Sequence, residues 1–336
     1  MGNKDESEGV RGFVFESLDI FALWSFSVTQ PLLNLISQNG TFLVAHDCGP
    51  TETLLFVLTL CLILPACMVF AEGIFRLLNR HCYNVLHYVF IFGLVALFTL
   101  PPLKKIAQFP DVLVLSLAAA VALAFLFAHM RFPLIKKALR ICSISVFLFP
   151  LVFLFTGQPR ELILSEGESG QFHIDAAGKP PIVMVMFDEI SGVYLQDEKG
   201  RVDALRYPNF AALSSDSYWF PNALSVSDNT HHGVPAILTG QYYAKRGNRD
   251  TLPALVDYPH NLFTFLDGAY ELNVVETSTK LSPEGDDGID SHLEERLPLY
   301  AALFVDTGVL YLSMVSPPEV GSRLPDVTQN WEGFLE

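Results

Sequence analysis

Residues 112–130, VLVLSLAAAVALAFLFAHM, contain no Asp, Glu, Lys or Arg, and this stretch decides the fold class. A helix of about 20 apolar residues is long enough to cross a bilayer. Residues 54–75 form a second such run, interrupted only by Glu72 near its end. The sequence therefore predicts an α-helical membrane domain.

Two further runs are slightly shorter. Residues 85–100 and 141–157 are apolar, and Tyr83, His87 and Arg140 lie at their N-terminal ends. Amphipathic side chains of this kind are typical of the headgroup level, where they extend a span. We therefore count four spans.

Residues 13–36 are a fifth candidate. They contain Glu16, Asp19 and several other polar residues, so they form either a span or a tilted, partly interfacial helix. Glu16 and Asp19 are three residues apart, on one helix face, and either line a polar cavity or reach the interface. Because no intramembrane acid pairs with an obvious base, we interpret this domain of about five helices as an anchor.

Loop charges predict the orientation. Alternate connections hold eight basic residues: Lys4, Arg11, Arg76, Arg80, Arg131, Lys136, Lys137 and Arg140. The other connections hold three: Lys104, Lys105 and Arg160. Because cytoplasmic loops are enriched in Lys and Arg, we expect a multi-pass protein of the cell membrane, with a cytoplasmic N-terminus and an extracytoplasmic C-terminal domain.

The two halves of the 336-residue chain differ in charge. Residues 1–157 carry ten Lys and Arg against nine Asp and Glu, whereas residues 158–336 carry eleven against twenty-seven. An acidic surface repels phosphate backbones, which argues against nucleic-acid binding. All five cysteines lie in the first half, without metal-site spacing, so chemistry in the second half needs oxygen and nitrogen groups.

Residues 158–180 are a predicted linker between the membrane domain, 1–157, and a second domain, 181–336. In this domain IVMVMF, residues 182–187, has the pattern of a buried central strand, and Asp188 and Glu189 end it. Ligands of open α/β sheets bind at the carboxyl ends of strands, so this acid pair is placed to hold a hard cation.

The second candidate site lies in SVSDNTHHGVPAILTGQY, residues 225–242. Thr230 precedes an apolar stretch that ends at Gly240, which predicts a helix with a glycine stop. A hydroxyl at the start of a helix faces backbone N–H groups, an arrangement that suits an anionic ester. Residues 297–315 are apolar but broken by Asp306 and Gly308, and we predict a buried helix there that does not span.

Six motifs follow one another along residues 182–276. They are IVMVMFDE, PNFAAL, FPNA, Thr230 ten residues before the Gly of LTG, QYYAKRG and NLFTFLDGAYELNVVET. This series resembles the sulfatase branch of the alkaline phosphatase superfamily. The resemblance implies an α/β domain in which Asp188 and Glu189 are metal ligands. It makes Thr230 both nucleophile and ligand. His231 and His232 are either proton carriers or solvated, capping residues. Mg, Ca or Mn suits the oxygen ligands better than Zn.

Two departures from this pattern matter. The sulfatase motif C/S-x-P-x-R is replaced by residues 230–234, THHGV, so the site looks like that of membrane-anchored transferases that move phosphoglycerol or phosphoethanolamine from lipids to glycans. The distal ligands of the family come from downstream strands, and the candidates here are His260, Asp286, Asp287, Asp290 and His292. We therefore expect a catalytic domain that is incomplete at its C-terminus.

Two functions follow, and a third, a transporter, rests only on the number of helices. The first is a membrane-anchored, metal-dependent hydrolase or transferase of phosphate or sulfate esters, lipid- or glycan-linked, acting outside the cytoplasm through a covalent intermediate on Thr230. The alternative is a non-catalytic membrane protein with a truncated sulfatase-like binding domain.

Overall fold

The computed structural model of the chain describes residues 2–39, 41–46, 48–106, 110–156, 180–187, 190–242, 253–255, 257–276, 278–283, 293–327 and 333–335. The chain divides into two compact units. The first contains Met1–Glu166 and Asp286–Glu336, and the second contains Gly167–Gly285.

Helices dominate the first unit. Its first part contains α1 (Gly2–Trp24), α2 (Gln30–Gln38), α3 (Thr41–Ala45), α4 (Pro50–Leu58), α5 (Leu64–Leu78), α6 (Arg80–Ile106), α7 (Asp111–Arg131), α8 (Pro133–Cys142) and α9 (Ser145–Phe155). The second unit contains a 3-10 turn (Gly192–Leu195), α10 (Pro208–Ser215), α11 (Thr230–Thr239) and α12 (Leu262–Leu266). The first unit resumes with α13 (Leu293–Val315) and α14 (Pro318–Gly321).

Six helical stretches of the described chain are long and apolar enough to cross a membrane, one more than predicted. They are Gly12–Gln38, Pro50–Leu78, Arg80–Lys105, Asp111–Arg131, Pro133–Phe155 and Pro298–Val315. The first five alternate in direction and give the bundle two ends. We name as the basic end the one with Gly12, Leu78, Arg80, Arg131 and Pro133. We name as the opposite end the one with Gln38, Pro50, Lys105, Asp111 and Phe155.

The first stretch is the central helix of the bundle, not an interfacial one. It packs against α5, α6, α8 and α9. Several of its polar side chains are buried, and the hydroxyls of Ser17, Ser25 and Ser27 donate to the carbonyl four residues earlier. These bonds offset the cost of burying the three serine hydroxyls in a central helix.

Two π-helical turns interrupt the long helices, each just before a proline. Ser25–Thr29 precedes Pro31, and Thr59–Ile63 precedes Pro65. Proline lacks the N–H that would bond the carbonyl four residues back, so the helix widens and leaves carbonyls for other donors. The indole Nε1 of Trp24 donates to the carbonyl of Leu60 at 2.9 Å.

The middle of α13 contacts the opposite end of the bundle. The ring centroids of Phe304 and Phe56 lie 5.4 Å apart. Asp306 Oδ2 lies 3.0 Å from Nε2 of His46, just after α3. Phe56 and His46 both lie near the start of the second stretch, Pro50–Leu78.

The second half of α13, and α14 after it, contact the same end. Lys104 Nζ donates to the carbonyl of Ser313 at 3.1 Å, and Asp111 Oδ2 accepts from the N–H groups of Glu319 and Val320 at 2.9 and 3.2 Å. Residues 298–315 are also the sixth stretch that is long and apolar enough to cross a membrane. The expectation of a buried helix that does not span therefore stays a prediction.

The second unit contains no strand among its described residues. Its β contacts are two isolated bridges, Gln196 with Val202 and Ala254 with Lys280. The run 182–187, predicted as a buried central strand, is extended, with side chains 44 % to 85 % exposed. Apolar composition favours an extended backbone, but burial needs partner strands on both sides, and the described residues supply none. The α/β domain stays a prediction.

A short turn in this unit is closed by one carboxylate. Asp197 accepts from the N–H groups of Lys199 and Arg201 at 2.9 and 3.0 Å, and from the Arg201 guanidinium. Gly200 has a φ of 74°, which the turn needs and other residues rarely adopt. The Arg201 backbone N–H, followed by that of Lys199 and the Arg201 side chain, holds the pKa of Asp197 below its usual range.

Candidate functional site

Thr230 is the first residue of α11, as predicted. The preceding residue, Asn229, caps the helix: its Oδ1 accepts from the N–H of His231 at 2.9 Å. Gly240 follows the last turn with a φ of 68°, the left-handed conformation that ends helices and favours glycine. The prediction of a helix with a glycine stop is confirmed.

The chain before Thr230 is held by a series of serine turns. Ser225 Oγ donates to the carbonyl of Ser227 at 2.6 Å, and Ser227 Oγ accepts from the N–H of Asn229 at 3.2 Å. Gly233 in α11 packs against this segment, because a Cβ there would lie 3.2 Å from Ser225 Oγ. These contacts fix the position of Thr230 between a rigid turn and a helix.

The donors of the first helical turn are already used. The N–H of His231 bonds the Asn229 side chain, and those of His232 and Gly233 bond the Asn229 carbonyl at 3.1 and 2.9 Å. An anion at this helix start therefore competes with the cap for N–H groups. The charge of an anion bound beside Thr230 must therefore be balanced by another group, and a bound cation commonly does this.

The other predicted site residues are placed as follows. Asp188 and Glu189, the predicted metal ligands, lie outside the described residues, so their distance from Thr230 stays a prediction. His231 and His232 are half-buried in the first turn of α11. Neighbouring helix residues point in different directions, so the two imidazoles cannot act on one atom from the same side.

Within the described ranges, no group of three or more His, Cys, Asp and Glu side chains is placed to hold a metal ion. Of the downstream candidates, His260 is exposed. Asp286, Asp287, Asp290 and His292 lie outside these ranges. A metal centre at Thr230 thus depends on the carboxylates that follow residue 187, and its oxygen donors suit Mg, Ca or Mn.

Comparisons of the chain with protein-family models, with curated proteins and with solved structures find no match. The resemblance to the sulfatase branch therefore rests on the ordered motifs of residues 182–276 alone.

A second set of polar residues, inside the bundle, was not predicted as a site. Glu72 Oε1 lies 3.0 Å from His87 Nδ1, and Asp19 Oδ2 lies 3.0 Å from His129 Nε2. All four side chains are at most 4 % exposed, and the two imidazole centroids lie 6.4 Å apart. We call these four residues the His–acid cluster. The expectation that no intramembrane acid pairs with a base was wrong.

Tyr83 borders this cluster. Its ring stacks on that of His87 with centroids 6.0 Å apart, and its hydroxyl donates to the half-buried Glu16. Tyr83 and His87 were expected at the headgroup level, but both are buried because α6 turns this face toward α1 and α5. Arg140, expected at the same level, is half-buried, with its guanidinium 4.1 Å from the ring centroid of Phe15.

The sequence held a signal for this set. Asp19, Glu72, His87 and His129 each lie within about two turns of the end of their predicted span, and all of these ends belong to the basic side. The four residues therefore lie at a similar depth in the bundle, which is visible only when the spans are compared with one another.

Proposed function

We propose that this protein is a membrane-anchored, metal-dependent hydrolase or transferase of phosphate or sulfate esters, with Thr230 as nucleophile. The proposal rests on the ordered motifs and on one structural observation. Thr230 begins a capped helix whose N–H donors are already occupied, so an ester bound there needs a cation beside the hydroxyl.

The chemistry assigned to each residue follows from its type. A threonine hydroxyl is a weak nucleophile at neutral pH and must lose its proton to react. A divalent cation, when bound, lowers the pKa of the hydroxyl and neutralises charge on the transferred group. Asp188 and Glu189 are the residues that would hold it through carboxylate oxygens.

Thr230 Oγ1 then attacks phosphorus or sulfur, and the bond to the leaving alkoxide breaks as the threonine ester forms. His231 or His232 donates the proton that the alkoxide takes up. Water, or the hydroxyl of an acceptor glycan, releases the group from Thr230 in the second step and regenerates the hydroxyl. Water gives hydrolysis, and an acceptor gives transfer.

The membrane arrangement suits a substrate that is itself lipid-linked. Basic residues at one end of the bundle favour a cytoplasmic N-terminus, five crossings and an extracytoplasmic unit Gly167–Gly285. Because this unit is covalently joined to a multi-pass anchor, it shares the membrane with a lipid-linked anionic headgroup or glycan.

The test uses the protein purified from membranes of its own host into nanodiscs. Hydrolysis of p-nitrophenyl phosphate, bis(p-nitrophenyl) phosphate and p-nitrophenyl sulfate is measured after chelation and after adding Mg, Mn or Ca. We expect cation-dependent turnover that Thr230→Ala lowers by about 10³-fold or more. Thr230→Ser keeps the hydroxyl and should retain activity.

Thr239→Ala is the matched control, because Thr239 ends the same helix and its hydroxyl bonds only backbone groups in the described chain. Its activity should equal that of the unaltered protein. Activity that survives in Thr230→Ala would refute the nucleophile. Absence of turnover with every cation and ester would instead favour the non-catalytic binding domain.

A further inference from the structure

The His–acid cluster is incompletely hydrogen-bonded, although it is fully buried. Each of its four side chains has one buried polar atom without a partner among the described residues: Asp19 Oδ1, Glu72 Oε2, His87 Nε2 and His129 Nδ1. Buried polar atoms in native proteins are nearly always paired, and exceptions call for an explanation. Four exceptions in one cluster point to a shared function.

The chain contains its own reference for a fully bonded pair. His46 donates through Nδ1 to the carbonyl of Phe42 at 2.8 Å and contacts Asp306 through Nε2. Asp306 also accepts from the N–H groups of Gly333 and Phe334 at 2.7 and 3.2 Å. Every polar side-chain atom of this pair is bonded, so the pair is fixed and structural.

We call a His–acid pair with unpartnered polar atoms an open pair, and its states differ in the number of protons that it holds. An imidazole hydrogen-bonded to a carboxylate has a net charge of minus one when the imidazole is neutral, and of zero when the pair holds one more proton. The unpartnered ring nitrogen and carboxyl oxygen give that proton alternative positions.

Other charged and titratable groups surround the cluster toward the basic end. From the helices packed against it these are Glu16, Arg76, Tyr83, Tyr88 and Arg140. Glu16 is the partly exposed carboxylate of this set, and it shares a helix face with Asp19. Glu16 is thus the acidic group of this set that is nearest to solvent at the basic end.

We propose that the His–acid cluster is an intramembrane proton-binding site that exchanges protons with the side on which the basic end lies. In each uptake step a hydronium ion gives its proton to a His–acid pair and leaves as water. The pairs Asp19–His129 and Glu72–His87 each hold one exchangeable proton, and the contact between the two imidazoles couples them. This site is independent of Thr230.

The first test measures proton uptake. The whole protein in nanodiscs of neutral lipid is stepped from alkaline to acidic pH, and a pH indicator reports the protons bound per molecule. The double variant Asp19→Asn, Glu72→Gln should bind about two protons fewer than the unaltered protein, one for each pair removed. Asp306→Asn, in the fully bonded pair, should lose none.

A second readout needs no variant of the cluster. In ¹⁵N spectra of the histidine side chains, the resonances of His87 and His129 should move as pH changes, while that of His46 should stay fixed. Equal uptake by the double variant, together with pH-independent resonances of His87 and His129, would overturn the proposal. Thr230→Ala should leave both readouts unchanged, which separates this site from the proposed ester chemistry.

Discussion

The two ends of the membrane bundle use the same side chains for different purposes. At the opposite end, His46 and Asp306 bond each other and three backbone groups, and all of their polar atoms are occupied. At the basic end, two equally buried His–acid pairs leave four polar atoms open. Residue type and burial are alike at the two ends, so the difference between them lies in the completeness of hydrogen bonding.

Removing the fully bonded carboxylate should have the largest effect. Asp306→Ala leaves His46 and the N–H groups of Gly333 and Phe334 without an acceptor. Breaking a buried pair from one side costs about 3–5 kcal/mol. We expect a loss of this size in the free energy of unfolding, measured by denaturant titration in detergent. Glu319→Ala, at an exposed side chain nearby, should change it little; equal losses would contradict the assignment.

Isosteric substitution compares the two ends directly. Asp306→Asn places an NH₂ group against donors that need an acceptor, which should cost about 1–3 kcal/mol. Asp19→Asn can turn its NH₂ toward the open side of Asp19 and keep its oxygen on His129. We expect a loss below about 1 kcal/mol for Asp19→Asn. A reversed order in thermal unfolding would show that completeness of bonding does not separate the two pairs.

A smaller effect is expected where α13 contacts the central helix. Tyr311 donates its hydroxyl to the carbonyl of Ser27 at 2.9 Å, which Pro31 leaves without its usual helical donor. Tyr311→Phe should lower the free energy of unfolding by about 0.5–1.5 kcal/mol. Tyr88→Phe is the control, since no hydrogen bond of its hydroxyl occurs among the described residues. Equal values for the two variants would contradict the role of this bond.

The smallest effect concerns the Asp197 turn of the second unit. The pKa of Asp197 is lowered by folding, so its contribution to stability is present above the unfolded pKa and is lost as pH falls through the folded pKa. The protection of the Lys199 and Arg201 amide protons, measured as the exchange rate relative to the intrinsic rate at each pH, should fall with acidification below that range. In Asp197→Asn this pH dependence should disappear, and Glu198→Gln should keep it; a pH-independent turn in the unaltered protein would refute the prediction.

Local sequence signals were sufficient where one segment determines its own structure. Hydropathy identifies the five long helices before residue 157, because a span must satisfy its backbone internally and be apolar outside. The α11 helix follows from the polar residues before Thr230 and from Gly240 after it.

Features that depend on partners distant in sequence were not predictable. The Asp19–His129 contact joins residues 110 positions apart, and nothing local in either span requires it. The contacts of Lys104 with Ser313 and of Asp111 with Glu319 join residues 209 and 208 positions apart, and no local signal requires them. Residues 182–187 have strand composition, yet their burial depends on neighbouring strands that the segment itself does not encode.

The central claim, that open and fully bonded His–acid pairs differ in proton exchange, is tested most directly by pH-difference infrared spectroscopy of the carboxyl groups. The protonated-carboxyl bands of the unaltered protein in nanodiscs should rise on acidification, shift in D₂O, and lose intensity in Asp19→Asn and in Glu72→Gln. Asp306→Asn should leave these pH-dependent bands unchanged. Bands that depend on Asp306 but not on Asp19 or Glu72 would contradict the account.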